Sequence, residues 1–244
     1  PRSRGFAIRE GDDTIAAGRP LLGVSDLGHV LASAAPLNIR NTTAMTRQIW
    51  DISPAIAPAS PVFPGDTAYS QEWCATIGPG CPVNVSAIRM SPHVGAHADA
   101  PLHYDAQGAS IGAVDLDAFL RPCRAIHAID CGPLVEWQHI EHAISADLPA
   151  RVLVRTYQTA PTSWDPQLAA YAPETVQKLA DLGVKLIGID TASIDPASSK
   201  TLDSHMVIRQ RGLRVLENLV LDAVAEGDYE LIALPLKLTE ADAS

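Results

Sequence analysis

The sequence predicts an α/β (α+β) fold, a mixed β-sheet core with flanking helices, and three observations carry that reading. The 244 residues are 47% hydrophobic and 19% charged, a balance that buries a sizeable core without disulfides or a structural metal. Strand-like segments bounded by turn residues cluster in the first half of the chain. In the second half they alternate with helical segments, the pattern that lays helices against a sheet.

Residues 1–44 carry scattered Gly and Arg and sustain no period of 2 or 3.6. They read as a poorly ordered or artefactual extension, with Met45 as the native start and 45–244 as a single domain. Gln48 to Ile52 is a strand. Pro54, Pro58, Pro61 and Pro64 then force an extended, turn-rich connection ending in Phe63-Pro64-Gly65-Asp66. Strands follow over 70–77 and 82–90, before a segment rich in Pro, Gly and His over 91–103. Asp115 and Asp117 suit the start of a short helix, where carboxylates meet the positive end of the dipole. Arg124 to Asp130 is a strand, Glu136 to Ser145 a short amphipathic helix, and Arg151 to Thr156 a β-branched strand. Pro173 to Leu182 is a helix, with Pro at its start and Gly183 just past its end. Val184 to Ile189 is an apolar strand closed by Asp190. A loop over 191–203 leads into a helix from Ser204 to Arg211 that extends toward Asn218. Strands over 219–224 and 229–238 close the chain, which shows no internal repeat.

Lys plus Arg is 18 and Asp plus Glu is 28, so the formal net charge is −10. That balance argues against a nucleic-acid partner and against docking on anionic lipid, both of which need a basic footprint. No apolar run approaches the ~18 residues of a membrane span. No basic region followed by an apolar stretch and a cleavage site is read, so the expected compartment is the cytoplasm. Cys74, Cys81, Cys123 and Cys131 form no C-x-x-C pair and read as free thiols of a reducing environment, packed as small buried hydrophobes. Gly23-Val24-Ser25-Asp26-Leu27 fails the G-x-S-x-G pattern of a serine hydrolase at its last position. No phosphate-binding glycine motif is present, so nucleotide cofactors have no support. His127, His139 and His142 read as structural or surface residues, and Asp190 as a carboxylate standing behind the site.

The chemistry concentrates in Ser91-Pro92-His93-Val94-Gly95-Ala96-His97-Ala98-Asp99-Ala100-Pro101-Leu102-His103. His93, His97, Asp99 and His103 share one parity, so an extended chain puts all four on one side. On a helix Asp99 would point about 200° round from His97, and Pro92, Gly95 and Pro101 disfavour that helix. Gly95 would let another group approach closely. Three imidazoles and a carboxylate form a metal set of borderline softness, with zinc the default and manganese or iron the alternatives. With no Cys in the segment, an open catalytic site fits better than a closed structural one. The grouping of His97 and Asp99 with a distant His is also the grammar of a non-haem iron oxygenase. Against that stands the lack of evenly spaced short strands for a double-sheet barrel. A metal-binding protein without activity is a third reading, disfavoured because His103 is surplus to ligation.

The run His93-Val94-Gly95-Ala96-His97-Ala98-Asp99-Ala100-Pro101-Leu102-His103 resembles the H-x-G-x-H-x-D-x-P-x-H signature of the cyclase family of metal-dependent hydrolases. Trp50-Asp51-Ile52-Ser53-Pro54, Phe63-Pro64-Gly65-Asp66-Thr67, Gly188-Ile189-Asp190-Thr191, Ser199 to His205 and Leu234-Pro235-Leu236-Lys237 support the likeness. It runs from about Met45 to Ser244, 200 of 244 residues. Ala96 stands where many members have Thr, and relatives usually continue a little past Ser244, so a truncated C-terminus is expected. The resemblance implies the family's swivelling β/β/α fold. It implies a site of two zinc ions, manganese being the alternative, held by His93, His97 and Asp99 and completed by His205 and Glu217. From the residues alone, His205 reads as a helix-start histidine and Glu217 as a solvated helix carboxylate. The resemblance further implies that His103 is the acid/base and that Phe63 lines the substrate pocket; Trp73 is read as a second flat apolar surface for the substrate ring. It implies hydrolysis of N-formyl-L-kynurenine to L-kynurenine and formate in tryptophan breakdown. Another amide, or a cyclic imide such as isatin, is the alternative substrate. A small-molecule substrate and a homodimer are the partners implied.

Overall fold

The computed structural model describes residues 5–10 and 48–244. In chain order the strands are β1 (Ala7–Glu10), β2 (Ile49–Asp51), β3 (Ser70–Ala75), β4 (Val85–Arg89), β5 (His97–Asp99), β6 (Leu120–His127), β7 (Leu134–Val135), β8 (Arg151–Arg155), β9 (Ala170–Tyr171), β10 (Leu186–Ile189), β11 (Arg214–Glu217) and β12 (Gly227–Ile232). The helices are α1 (Pro101–Tyr104), α2 (Trp137–Ile140), α3 (Pro173–Asp181) and α4 (Asp203–Arg211). Eight strands form one sheet in the order β2-β1-β12-β6-β8-β10-β11-β5. Its centre, β6-β8-β10-β11, is parallel, and every pairing outside that centre is antiparallel. This is the mixed sheet expected.

Alternation of side chains explains why both faces are apolar. On β8, Leu153 joins Leu186 and Leu216 on one face with Phe119 and Leu231. Val152 and Val154 join Ile187, Ile189 and Val215 on the other, where Val176 and Leu179 of α3 and Ile208 of α4 cover them. Helices α3 and α4 both lie on this second face, whereas the first is covered by connecting segments that carry Ile52, Ile111, Phe119 and Leu219. Helix α3 starts on Pro173 and is followed by Gly183 at φ +89°, as the Pro-first, Gly-last asymmetry predicts.

Several expectations are corrected. The segment 1–44 was expected to stand apart, yet Ala7–Glu10 within it pairs antiparallel with both β2 and β12. The alternation Phe6, Ile8 supplies the reason, since both side chains are buried in the core. Met45, read as the native start, lies outside the described residues. Helix α4 does not continue to Asn218, because Gly212 at φ +68° caps it and the chain turns into β11. Glu217 is therefore a buried strand-end carboxylate, not a solvated helix residue. The strand expected over 219–224 is a connection. Asn218 at φ +56° breaks the ladder, Leu219 N–H donates to Ile189 and Val220 N–H to Ile52. The helix expected over 136–145 divides into α2 and a short 3₁₀ turn, Glu141–Ala143. All four cysteines are free, but only Cys123 is buried; burial pushes its thiol up to about 12.

Candidate metal centre

The site forms where the carboxyl ends of parallel strands meet a short antiparallel edge strand, the crevice in which open sheets of this kind hold ligands. β5 lies beside β11 with His97 opposite Glu217 and Asp99 opposite Val215. That register alone brings the motif to a carboxylate distant in sequence. Only His97 and Asp99 share the extended face expected of all four motif residues. His93 sits in the turn ahead of Gly95, and His103 on α1. The four still converge, because Gly95 at φ +78° reverses the chain before β5 and Pro101 opens a helical turn after it. A Cβ on Gly95 would lie 2.8 Å from Ile56 Cδ1, so Ile56 is the close neighbour that this glycine admits.

Each imidazole is oriented by its outward nitrogen. His97 Nδ1 donates to the Gly95 carbonyl at 2.9 Å, which leaves Nε2 facing inward. His205 Nδ1 lies 2.7 Å from Asp195 Oδ2, turning its Nε2 toward Asp99 Oδ2 at 3.3 Å. His93 Nε2 lies 3.1 Å from Asp242 Oδ2, so its Nδ1 faces His97 Nε2 at 3.0 Å and Asp99 Oδ1 at 3.1 Å. Such outer partners fix tautomer and ring angle in metal sites. Asp195 also accepts the backbone N–H groups of Ser204 and His205, satisfying donors in the first turn of α4.

The two buried carboxylates each face two ways. Asp99 Oδ1 meets His93 and His97, while its Oδ2 meets His205. Glu217 Oε2 lies 3.4 Å from His97 Nε2, and its Oε1 3.7 Å from His205 Nε2. Asp99 Oδ1 is buried with no hydrogen-bond donor, an arrangement that costs free energy unless a cation completes it. Burial opposes ionisation of Asp99, but His205, His93 and His97 outweigh it and hold its carboxyl well below the usual range. Burial likewise depresses His97 and His205, yet neighbouring carboxylates lift each to about 10. The cluster therefore demands positive charge, which protons or a metal ion supply. His93, His97 and Asp99 form one group able to hold an ion, and Asp99, His103 and His205 another. Donors around a tetrahedral ion with bonds of about 2.0–2.1 Å stand about 3.3 Å apart, so the spacing here fits.

His93, His103, His205 and Glu217 line a cavity of about 450 Å³ together with Phe63. Phe63 packs edge-on against Trp164, with ring centroids 4.9 Å apart. Trp73, the second aromatic expected, is 59% exposed on β3 and does not line this cavity. Asp190 stands apart from the cluster, accepting the Thr156 and Tyr157 N–H groups and the Thr156 hydroxyl. Burial outweighs those bonds and raises its pKa to about 6. His127, His139 and His142 hold Val224, Glu136 and Glu226. Asp195 and Asp242 were not found by sequence reasoning. No motif spacing marks either, and only their contacts with His205, His93 and His103 reveal them.

Residues 26–196 match the cyclase family. A kynurenine formamidase from Delftia acidovorans is 84% identical over 200 residues, covering 82% of this chain and 95% of that protein. The chain belongs to the cyclase family. A second kynurenine formamidase, from Paracidovorax citrulli, is 74% identical and covers 81% of this chain and 94% of its own length. Among solved structures, a cyclase-family fold described as a "predicted metal-dependent hydrolase" from Bacillus stearothermophilus superposes with TM-score 0.68 and 27% identity, covering 80% of this chain and 93% of that one. Isatin hydrolase A from Labrenzia aggregata gives TM-score 0.64 at 20% identity over 79% of this chain and 89% of that one, which shows the shared fold. The cyclase-family signature is thus seated on a buried two-sided carboxylate cluster at the sheet's edge.

Proposed function

We propose that this cyclase-family chain is a two-metal arylformamidase, converting N-formyl-L-kynurenine and water to L-kynurenine and formate in cytoplasmic tryptophan breakdown. The observation that carries it is the two-sided exposure of Asp99 and Glu217, each offering one oxygen to the His97 side and one to the His205 side. The kynurenine formamidases at 84% and 74% identity point to the substrate. His93, His97, Asp99 and Glu217 would hold one ion, and Asp99, His205 and Glu217 the second, with zinc favoured by the imidazole and carboxylate set and manganese the alternative. Bound there, such ions make water acidic enough to supply a nucleophile near neutral pH and polarise the formyl carbonyl. The chain's own part is positional. His103, on the cavity wall beside His93 with centroids 4.4 Å apart, passes a proton to the departing aryl nitrogen. Phe63 offers its ring to the arylamine.

The oxygenase reading fails on architecture, because the described strands build one mixed eight-stranded sheet and two short ribbons, with no double-sheet barrel. Formate release from N-formyl-L-kynurenine, measured beside isatin hydrolysis, tests the substrate. Chelation should abolish the activity and zinc or manganese should restore it. Turnover indifferent to chelator, or confined to isatin, would sink the proposal.

We also propose that two copies pair through the β3–β4 hairpin. Trp73, Val85 and Ile88 are 59%, 48% and 60% exposed on these two strands, apolar surface that a free monomer seldom concentrates on one element. Light scattering should give twice the 25.9 kDa of one chain; a mass near one chain overturns the pairing. Among the described residues no helix is long and apolar enough to cross a membrane.

A further inference from the structure

The cavity beside the metal centre carries two charges that neither ligation nor proton transfer uses. Phe63-Pro64-Gly65-Asp66 is a tight turn closed by a 3.0 Å bond from Asp66 N–H to the Phe63 carbonyl, with Gly65 at φ +103°. Pro at the second position and a left-handed Gly at the third are the marks of a type II turn. Its first and fourth residues, Phe63 and Asp66, both line the cavity. The Asp66 carboxylate accepts the Ser91 hydroxyl at 3.1 Å, which ties the turn to the segment bearing His93. Lys200 lines the same cavity from the loop before α4 and, among the described residues, is the only Lys or Arg to do so. That loop is built: Ser199 N–H donates to Pro196 at 2.8 Å, and Leu202 N–H to the Ser199 hydroxyl at 3.0 Å.

We infer that Asp66 and Lys200 form a recognition pair for an α-amino-acid zwitterion, Asp66 receiving the ammonium and Lys200 the carboxylate. The inference rests on the arylformamide reading and extends it from the scissile bond to the far end of the substrate. In a chain of net charge −10, with Asp66 and Glu217 on the wall, a ligand carboxylate is repelled unless a cation meets it locally. Lys200 is the group placed to do so, and charge-assisted hydrogen bonds of this kind are the strong ones. Phe63 then lies between the charged pair and the metal cluster in function, receiving the ring that joins the amino-acid tail to the formamide. A neutral ligand such as isatin or a simple formanilide uses neither charge.

The test compares two substrates on the metal-replete enzyme, N-formyl-L-kynurenine and the N-formyl derivative of 2-aminoacetophenone, which keeps the ring and amide but lacks the zwitterion. Lys200→Gln should raise KM for the zwitterion by about tenfold or more with little change in kcat, and collapse the preference between the two. Asp66→Asn should shift the preference the same way. Equal losses on both substrates, or no loss on either, overturn the pair. Wild-type enzyme that turns over both substrates with equal kcat/KM overturns the pair and leaves the arylformamide reading standing. Wild-type enzyme that releases formate from neither overturns both.

Discussion

Asp99→Ala is expected to empty the metal centre and remove turnover with it. Asp99 is fully buried, its Oδ1 faces His93 and His97, and its Oδ2 faces His205. Removing the carboxylate takes a donor from both halves of the cluster at once. It also leaves imidazoles whose positive charge was balanced by Asp99 without that partner. Loss of ionic stabilisation worth several kcal/mol corresponds to a fall in kcat/KM of about 10³ or more. Metal analysis after gel filtration should find the variant depleted. An Asp99→Ala protein that keeps its metal and its turnover would remove Asp99 from the ligand set.

His103→Ala should behave differently: bound metal retained, turnover lowered by about 10²–10⁴, the usual loss when a positioned acid/base is removed. His103 is more exposed than the ligand candidates, and its Nδ1 lies 3.4 Å from the same Asp242 oxygen that holds His93. Asp242 is delivered by the chain's last residues, which bond along β5 through Ala98 and Ser244 at 2.9 and 3.1 Å. The imidazole is therefore carried on a helical turn beside the cluster and steadied from outside it. An imidazole can both accept and donate a proton, which suits that role. Because His103 also belongs to a group with Asp99 and His205 that can hold an ion, metal content decides the matter. Depletion as severe as in Asp99→Ala would place His103 among the ligands.

Much of the site was legible in the chain. The shared face of His97 and Asp99 follows from their parity, and the close neighbour expected at Gly95 is Ile56; both are local properties that appear as expected. His93 and His103 were expected on the same extended face; they reach the cluster through a turn and a helical turn instead. Gly95 and the prolines excluded a helix through the motif, but did not reveal that two bends would flank a strand of three residues. Trp73 shows the opposite limit. An aromatic in a strand reads the same whether it faces a cavity or solvent, and Trp164 takes the place beside Phe63.

The sequence by itself determined the mixed class of the fold, the central strands, helix α3 and the gathering of metal-ligand residue types in the 93–103 segment. These follow from side-chain alternation, from Pro and Gly at helix ends, and from ligand types gathered within a few residues, all short-range effects. The tertiary structure alone decided that β11 follows Gly212 instead of more helix, and that its register on β5 sets Glu217 opposite His97. It alone decided that Asp195 and Asp242 orient His205 and His93, and that Phe6 and Ile8 bury an N-terminal strand between β2 and β12. A carboxylate's role depends on what it faces once desolvated. That partner is chosen by strand pairing and core burial between segments far apart in the chain, which no local pattern records.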